Sequence, residues 1–449
     1  MATPIPDNHA CFTLAELAEL TGGRCLGAAE RKVSGVVTDS RRVEAGALFV
    51  ALRGENHDGH AFLPQVAQRG AAALVREGTE LPTGLDAVAV PDTLEALSAI
   101  ARGHRRRWGG RLVAITGSAG KTSTKELAAA ALRGAGRRVR ATVGNLNNRV
   151  GVPMTLLTLA ADDELAVIEL GTSEPGEIAA LAAMAEPDVG VVTLVSEAHT
   201  AGLGGLEEVR REKTALLRAL GDRGVGIVAG DDPSLAGERA LRFGAQEEAD
   251  ARLLDWGIEG SRTHAVVQVA GRTIELRLRL LGEAAARNAA AALLIAQSLG
   301  ADLDAAAGGM EALAPLAGRM CPIDVGGALV IDDSYNANPR SMELALRTAR
   351  KLADRRGARL LAVLGDMKEL GSLSVPAHRR LRQLAEELAD VHVFVGSEMA
   401  RVGEVWEDLA ELPAHLDAAA PDVVLVKGSR SMGLERVVDA LRARGEGEP

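Results

Sequence analysis

Residues 111–122 read RLVAITGSAGKT, an apolar run, a Gly-rich turn and a Lys-Thr pair, followed by the helix-like segment STKELAAAAL. Those residue types in that order suit phosphate chemistry. Backbone N–H groups of a Gly-rich turn can surround phosphate oxygens, and a helix N-terminus adds partial positive charge. A lysine there neutralises β- and γ-phosphates, and the neighbouring hydroxyl can ligate Mg²⁺. The residues concerned are Thr116, Gly117, Ser118, Ala119, Gly120, Lys121, Thr122 and Ser123. Ile115 stands where the longer GxxxxGK[ST] form has its first glycine, so this is the shortened TGxxGKT variant. The pattern predicts nucleotide binding, with Lys121 on the phosphates and Thr122 on the metal.

A loop of this kind needs a sheet to hold it. Apolar runs at 112–115, 165–168, 189–195 and 225–229 alternate with Ala- and Leu-rich segments of helical pattern, which predicts a parallel α/β sheet. Ligands of such sheets bind at the carboxyl ends of the strands. Glu169 ends one run, His199 lies just beyond another, and Asp231 and Asp232 follow a third. Glu169 and His199 are therefore expected near the phosphate loop, where a carboxylate and an imidazole could hold one or two Mg²⁺ ions. Lys213 lies in GLEEVRREKTALLRAL, on the same helical face as Val209 and Leu216. A lysine there either snorkels to water or has an altered charge, by modification or pairing, beside the metal.

Two further patterns flank this region. Residues 264–281 read as an antiparallel hairpin turning at Ala270-Gly271, and a long Ala-rich helix follows over about 283–299. A second α/β alternation has strands at 328–331, 360–364, 391–395 and 423–426. Ahead of the sheet, a helix from Thr13, with Glu16 at the capping-box position, precedes the polar loops TDSRR and RGENHDGH; Asp92 or Thr93 caps the next helix. The expected architecture is α/β in three domains. A small α/β domain spans 1–90. A central parallel-sheet ATPase domain with an added antiparallel hairpin spans 91–317. A C-terminal Rossmann-like α/β domain spans 318–449.

Composition excludes several functions. The 449 residues carry a net charge of −10 and only 2% aromatics, which argues against a nucleic-acid-coating protein. Cys11, Cys25 and Cys321 are scattered, with neither metal-ligand spacing nor a disulfide framework, and fit a reducing compartment. The start has no basic segment leading into an apolar run, and no apolar stretch approaches a membrane span, so a cytoplasmic protein is expected.

With these residues placed, the sequence resembles the Mur ligase family of bacterial cell-wall synthesis. The likeness runs through TDSRRVEAGALFVALRGENHDGHAF, ITGSAGKTSTKE, TVGNLNNRVGVPMTLL, IELGTSEPGEI, DDSYNANPRSM, VLGDMKELG and LVKGSRSM. The last three, with GNLNNRVGVP, point within the family to the member that adds D-alanyl-D-alanine. The resemblance implies ATP-driven amide bond formation through an acyl phosphate, with UDP-N-acetylmuramoyl-tripeptide and D-alanyl-D-alanine as partners, ATP and two Mg²⁺ ions as cofactors, and a monomer. It implies catalytic roles for Lys121, His199 and Lys213, and a metal set of Thr122, Glu169, His199 and Lys213 in carbamylated form. It places Asn288, Arg319 and Asp333 on the nucleotide. Asp39, Ser40, Arg41, Gly54, Asp58, Gly59, Asn145, Asn147 and Asn148 fall on the UDP substrate, and Tyr335, Asn336, Asn338, Asp366 and Met367 on the dipeptide. Two positions depart from the family pattern: Ala284 replaces a common histidine, and Arg149 replaces an acidic residue. A sister ligase of folylpolyglutamate type, with another acceptor, and a nucleotide-driven regulatory module are the alternatives. Tyr335, the single tyrosine, lies inside DDSYNANP and is a candidate for a specific role near the nucleotide or the dipeptide.

Overall fold

The computed structural model describes residues 3–54, 57–197, 200–409, 411–412 and 423–445. Three main sheets follow one another along the chain. In the first, Arg24–Leu26, Ala87–Val90, Ala72–Arg76, Leu48–Val50 and Val36–Val37 lie side by side, parallel except for the first pair. The helix Leu14–Thr21 beside it starts at the expected capping box, with Thr13 and Glu16 exchanging hydrogen bonds.

The central sheet has nine strands. Its parallel part runs, in spatial order, Val139–Ala141, Leu165–Glu169, Arg111–Thr116, Val189–Val192, Val225–Ala229, Leu241–Gly244 and Ala251–Glu259. Arg262–Val269 and Arg272–Leu278 continue it antiparallel. The expected hairpin is present and packs onto a third strand, Ala251–Glu259, so the antiparallel extension has three members. The run 189–195 stops being strand at Val192, because the next residues leave the sheet: Val195 N–H donates to Asp232 at 2.7 Å and Leu194 C=O accepts from Ser118. The third sheet orders Cys321–Val325, Ala328–Asp333, Val423–Lys427, Leu360–Gly365 and Val391–Val395, parallel except for the first pair.

Side-chain alternation divides the core. In the central strand Arg111–Thr116, Val113 and Ile115 face the phosphate-loop helix Lys121–Gly134, packing with Leu127 and Leu132. Leu112 and Ala114 face the other way, into one cluster with Phe12, Leu17, Leu97 and Leu48 from the N-terminal part of the chain. The first sheet and one face of the central sheet thus share a hydrophobic interior. The third sheet has cores of its own, to which Ile258 and Leu281 are the fully buried contributors from earlier in the chain. Among the described residues no helix is long and apolar enough to cross a membrane.

The helix Thr93–Trp108 links the first sheet to the second. Asp92 caps it, its carboxylate accepting from the N–H groups of Leu94 (2.8 Å) and Glu95 (3.0 Å). Asp92→Ala should lower stability by about 1 kcal/mol, and Asp92→Ser should retain most of it. Urea unfolding followed by circular dichroism checks this; equal midpoints for wild type and the alanine variant would show that the cap contributes nothing.

Candidate active site

The phosphate loop leaves the strand Arg111–Thr116 and enters the helix Lys121–Gly134 through two glycines with left-handed backbone. Gly117 has φ 148° and Gly120 φ 84°. At Gly117 a Cβ would strike the Thr193 hydroxyl, and at Gly120 it would sit 2.9 Å from Asn288 Oδ1. Both positions are thus closed to other side chains by conformation and by space. The loop is held from behind: Ser118 N–H donates to Leu194 C=O (2.7 Å), Ser118 Oγ to Ser196 C=O (3.0 Å), and Thr193 Oγ1 to Ala119 C=O (2.5 Å). The first-turn N–H groups of the helix have no intrahelical acceptor and face the cavity mouth.

Glu169 is buried at the end of Leu165–Glu169, one strand over. Its carboxylate accepts from Thr122 Oγ1 at 2.7 Å and from Asn147 Nδ2 at 2.8 Å, and its own N–H donates to Thr142 Oγ1 at 2.9 Å. Lys121 Nζ donates to Gly117 C=O at 2.7 Å. Burial lowers the lysine's pKa, Glu169 opposes that, and the Arg319 guanidinium adds to it.

Lys213 is fully buried in the helix Leu206–Arg218, and its Nζ has no hydrogen-bond partner among the described residues. Burial, and then the charge of Lys121, push it well below the ordinary lysine range, against the pull of Glu212, Glu177 and Glu169. A snorkelling lysine would reach water; this one does not. An amine whose pKa is lowered in this way gives up its proton more readily than an exposed lysine, and the unprotonated amine is the form that adds to CO₂.

The phosphate loop and Glu169 border a cavity of about 360 Å³ between the central sheet and the third; Lys213 is not among the residues that line it. Of the residues singled out in the sequence, Ser118, Ala119, Gly120, Lys121, Thr122, Ser123, Asn145, Asn147, Asn148, Glu169, Asn288, Arg319, Asp333, Tyr335, Asn336 and Asn338 line it. Ala284 lies one helical turn before Asn288 on the same wall. Thr116 and Gly117 sit beneath the loop, Thr116 Oγ1 donating to Leu170 C=O at 2.9 Å. Arg149, at the other departure from the family pattern, forms an ion pair with Glu95.

Other predicted positions lie elsewhere. Asp39 and Arg41 pair at 2.7 Å on the first sheet's periphery, where the Arg41 hydrogen bonds hold the Asp39 carboxyl down at about 2. Ser40 is beside them, its C=O accepting from Arg69 at 3.0 Å. Gly54 and Gly59 bracket a loop in which Asp58 caps the short helix Gly59–Phe62; this group is away from the cavity. Asp366 and Met367 do not reach the cavity either. Asp366 is fully buried and accepts from the N–H groups of Glu398 and Met399 and from Lys368 Nζ, so its oxygens anchor the start of the helix Ser397–Ala400. Met367 packs in the core, its N–H donating to His378 Nε2 at 2.9 Å. His199 lies outside the described residues.

Two buried lysines escaped the sequence reading. Lys427 ends the strand Val423–Lys427 and donates to Asp333 (2.7 Å) and to Asn336 C=O (2.8 Å), fixing two cavity residues; burial raises the Asp333 carboxyl's pKa, and this ammonium opposes the rise. The strand-end rule that located Glu169 would have found it. Lys125 Nζ donates to Thr142 C=O at 2.6 Å, tying the phosphate-loop helix to the residue that holds Glu169. Nothing in the sequence separates it from a surface lysine.

Among the described residues no three His, Cys, Asp and Glu side chains cluster into a metal cage. Mg²⁺ binds through one or two side-chain oxygens plus phosphates and water. Thr122 and Glu169 offer such oxygens at the phosphate loop.

Comparison with known proteins bears on the same regions. Family models described as the Mur ligase catalytic domain, middle domain and glutamate ligase domain match residues 32–105, 115–296 and 318–430. The UDP-N-acetylmuramoyl-tripeptide–D-alanyl-D-alanine ligase of Escherichia coli (strain K12) is 36% identical over 453 residues, covering 96% of this chain and 99% of that one. A crystal structure of MurF from Acinetobacter baumannii superposes with a TM-score of 0.88 at 29% identity, over 98% of this chain and 100% of that one. MurF ligase from Thermotoga maritima in complex with ADP gives 0.85 at 28% identity, over 92% and 97%.

The loop geometry generates one prediction. Gly117→Ala should weaken MgATP binding at least about tenfold, since its Cβ must displace the Thr193–Leu194 backing of the loop. Calorimetric titration of the full chain measures this, with circular dichroism confirming the fold; unchanged affinity would remove the close approach from the account.

Proposed function

The chain belongs to the Mur ligase family, and from that membership we propose that it is an ATP-dependent, ADP-forming ligase of peptidoglycan precursor synthesis. It joins D-alanyl-D-alanine to the free carboxylate of UDP-N-acetylmuramoyl-tripeptide. The observation that carries this reading is the convergence on one cavity of the phosphate loop, the 145–148 loop of the central part and the 333–338 loop of the third sheet.

The carboxylate of the tripeptide attacks the γ-phosphorus, giving an acyl phosphate and ADP. The amine of the dipeptide then attacks the acyl carbon, and inorganic phosphate leaves. No side-chain nucleophile is needed; the chain's residues contribute position and charge. Loop N–H groups and Lys121 hold the triphosphate. Asn147 steadies Glu169 while offering its own edge to the cavity. Arg319 and Asp333 approach the nucleotide from the third sheet, and Asn336 and Asn338 present amides to the acceptor side. The side chain of Asn338 also donates to Ser118 C=O at 3.4 Å, linking the acceptor loop to the phosphate loop. Walls from two sheets exclude water from a hydrolysable intermediate.

Thr122, Glu169, His199 and carbamylated Lys213 would hold two Mg²⁺ ions. Bound there, Mg²⁺ supplies positive charge against the repulsion between the substrate carboxylate and the triphosphate. The carbamate would form by addition of the unprotonated Lys213 amine to CO₂ with loss of one proton, leaving a negative charge on that side chain.

Sustained ADP release should require both UDP-N-acetylmuramoyl-tripeptide and D-alanyl-D-alanine. A coupled ADP assay with each omitted in turn decides this. Fast turnover without the dipeptide, or with free amino acids in its place, would overturn the assignment. Lys213→Ala should lower turnover at least about a hundredfold, and bicarbonate or short-chain carboxylic acids should restore part of it. A fully active variant would remove Lys213 from the site.

A further inference from the structure

Tyr335 lies in the loop after the strand Ala328–Asp333. Its N–H donates to Gly318 C=O at 3.0 Å. Gly318 has φ 70°, and a Cβ on it would lie 3.0 Å from Tyr335 Cβ. The two segments are therefore clamped backbone to backbone, which brings the next residue, Arg319, over the tyrosine ring, with Cζ 4.0 Å from the centroid.

Arg319 is unusual in what it lacks. Its guanidinium pairs with no carboxylate among the described residues. The nearby carboxylate of Asp333 is taken by Lys427 at 2.7 Å. Arg319 also faces the cavity beside another cation, Lys121, whose pKa its charge depresses. Arg430 makes the contrast: it too lies over the ring, at 5.7 Å, but is half-exposed and paired with Glu435 at 3.3 Å.

A carboxylate partner would fix Arg319 by occupying its N–H donors and cancelling its charge. An aromatic face holds a guanidinium through the ring quadrupole and leaves the in-plane donors and the charge free for an anion. The contact the Tyr335 side chain makes with Arg319 is through the face of its ring.

We propose that Tyr335 is a positioning residue whose ring, not its hydroxyl, holds the Arg319 guanidinium against the phosphates of the bound nucleotide. The inference rests on the ATP-dependent reading above and shifts Tyr335 from the dipeptide to the nucleotide.

The test is titration of MgATP into the full chain, with KM for ATP and kcat measured alongside. Tyr335→Phe should keep ATP affinity and KM within about twofold. Tyr335→Leu should weaken affinity about fivefold to thirtyfold, the worth of a partly desolvated cation–π contact, and raise KM for ATP more than it lowers kcat. In an Arg319→Ala background the leucine substitution should have no further effect on affinity, because its target is gone. Thermal unfolding confirms that each variant is folded; if the leucine variant is not, Tyr335→Met serves the same comparison. Three results would overturn the inference: a phenylalanine variant as impaired as leucine, a leucine variant with wild-type affinity, or an undiminished leucine effect without Arg319. Failure of the wild type to bind MgATP would instead defeat the ATP-dependent reading, and this inference with it.

Discussion

Positive charge withdrawn from water, wholly at Lys213 and partly at Lys121 and Arg319, without a carboxylate ion pair is the constraint around which this molecule is built. Lys121 and Arg319 line one cavity and Lys213 is buried outside its lining, while Glu169 is committed to Thr122 and Asn147, Asp333 to Lys427, and Glu212 to the N–H groups of Gly176 and Ile178. Taking an ammonium out of water costs several kcal/mol unless something compensates. The apo protein tolerates this because rigid elements fix the groups and because Lys213 can give up its proton. An anionic ligand in the cavity would complete the balance. The tight backing of the phosphate loop by 193–196, and the chain from Lys125 through Thr142 to Glu169, follow from this: a site that must hold uncompensated charge in place cannot rest on mobile side chains.

Much of this was legible in the sequence because chemistry and position are coupled in parallel sheets. Strands buried on both faces read as continuous apolar runs, and the residue that ends each run lies at the ligand edge. Glu169 and the phosphate loop were located that way. Three of the strands that went unread violate the simple pattern. Val139–Ala141 has three residues. Ala251–Glu259 has a register shift between Leu253 and Asp255 that breaks its two-residue period. Cys321–Val325 contains Pro322, which an edge strand accommodates and a central one would not.

Within the site, the failures of sequence reading concern where side chains point. Asp366 follows the buried strand Leu360–Gly365, as Glu169 ends its own, and on sequence the two look equivalent. The difference comes from Ser397–Ala400, whose first N–H groups need an acceptor and draw the Asp366 carboxylate inward. Lys213 shows the converse. Its helical face was readable, but only the packed structure shows that its amine reaches neither water nor a carboxylate.

The shared interior of the first two sheets has a mechanical meaning. Three domains in sequence are two bodies in packing: one bearing the phosphate loop and the 145–148 loop, the other the third sheet with its own cores. The segment 313–320 joins them, and Arg319 and its anchor Gly318 sit in it. Tyr335 N–H donates to Gly318 C=O and Asn338 Nδ2 to Ser118 C=O, so the joint, the 333–338 loop and the phosphate loop are tied to one another and a displacement of any one is felt by the other two.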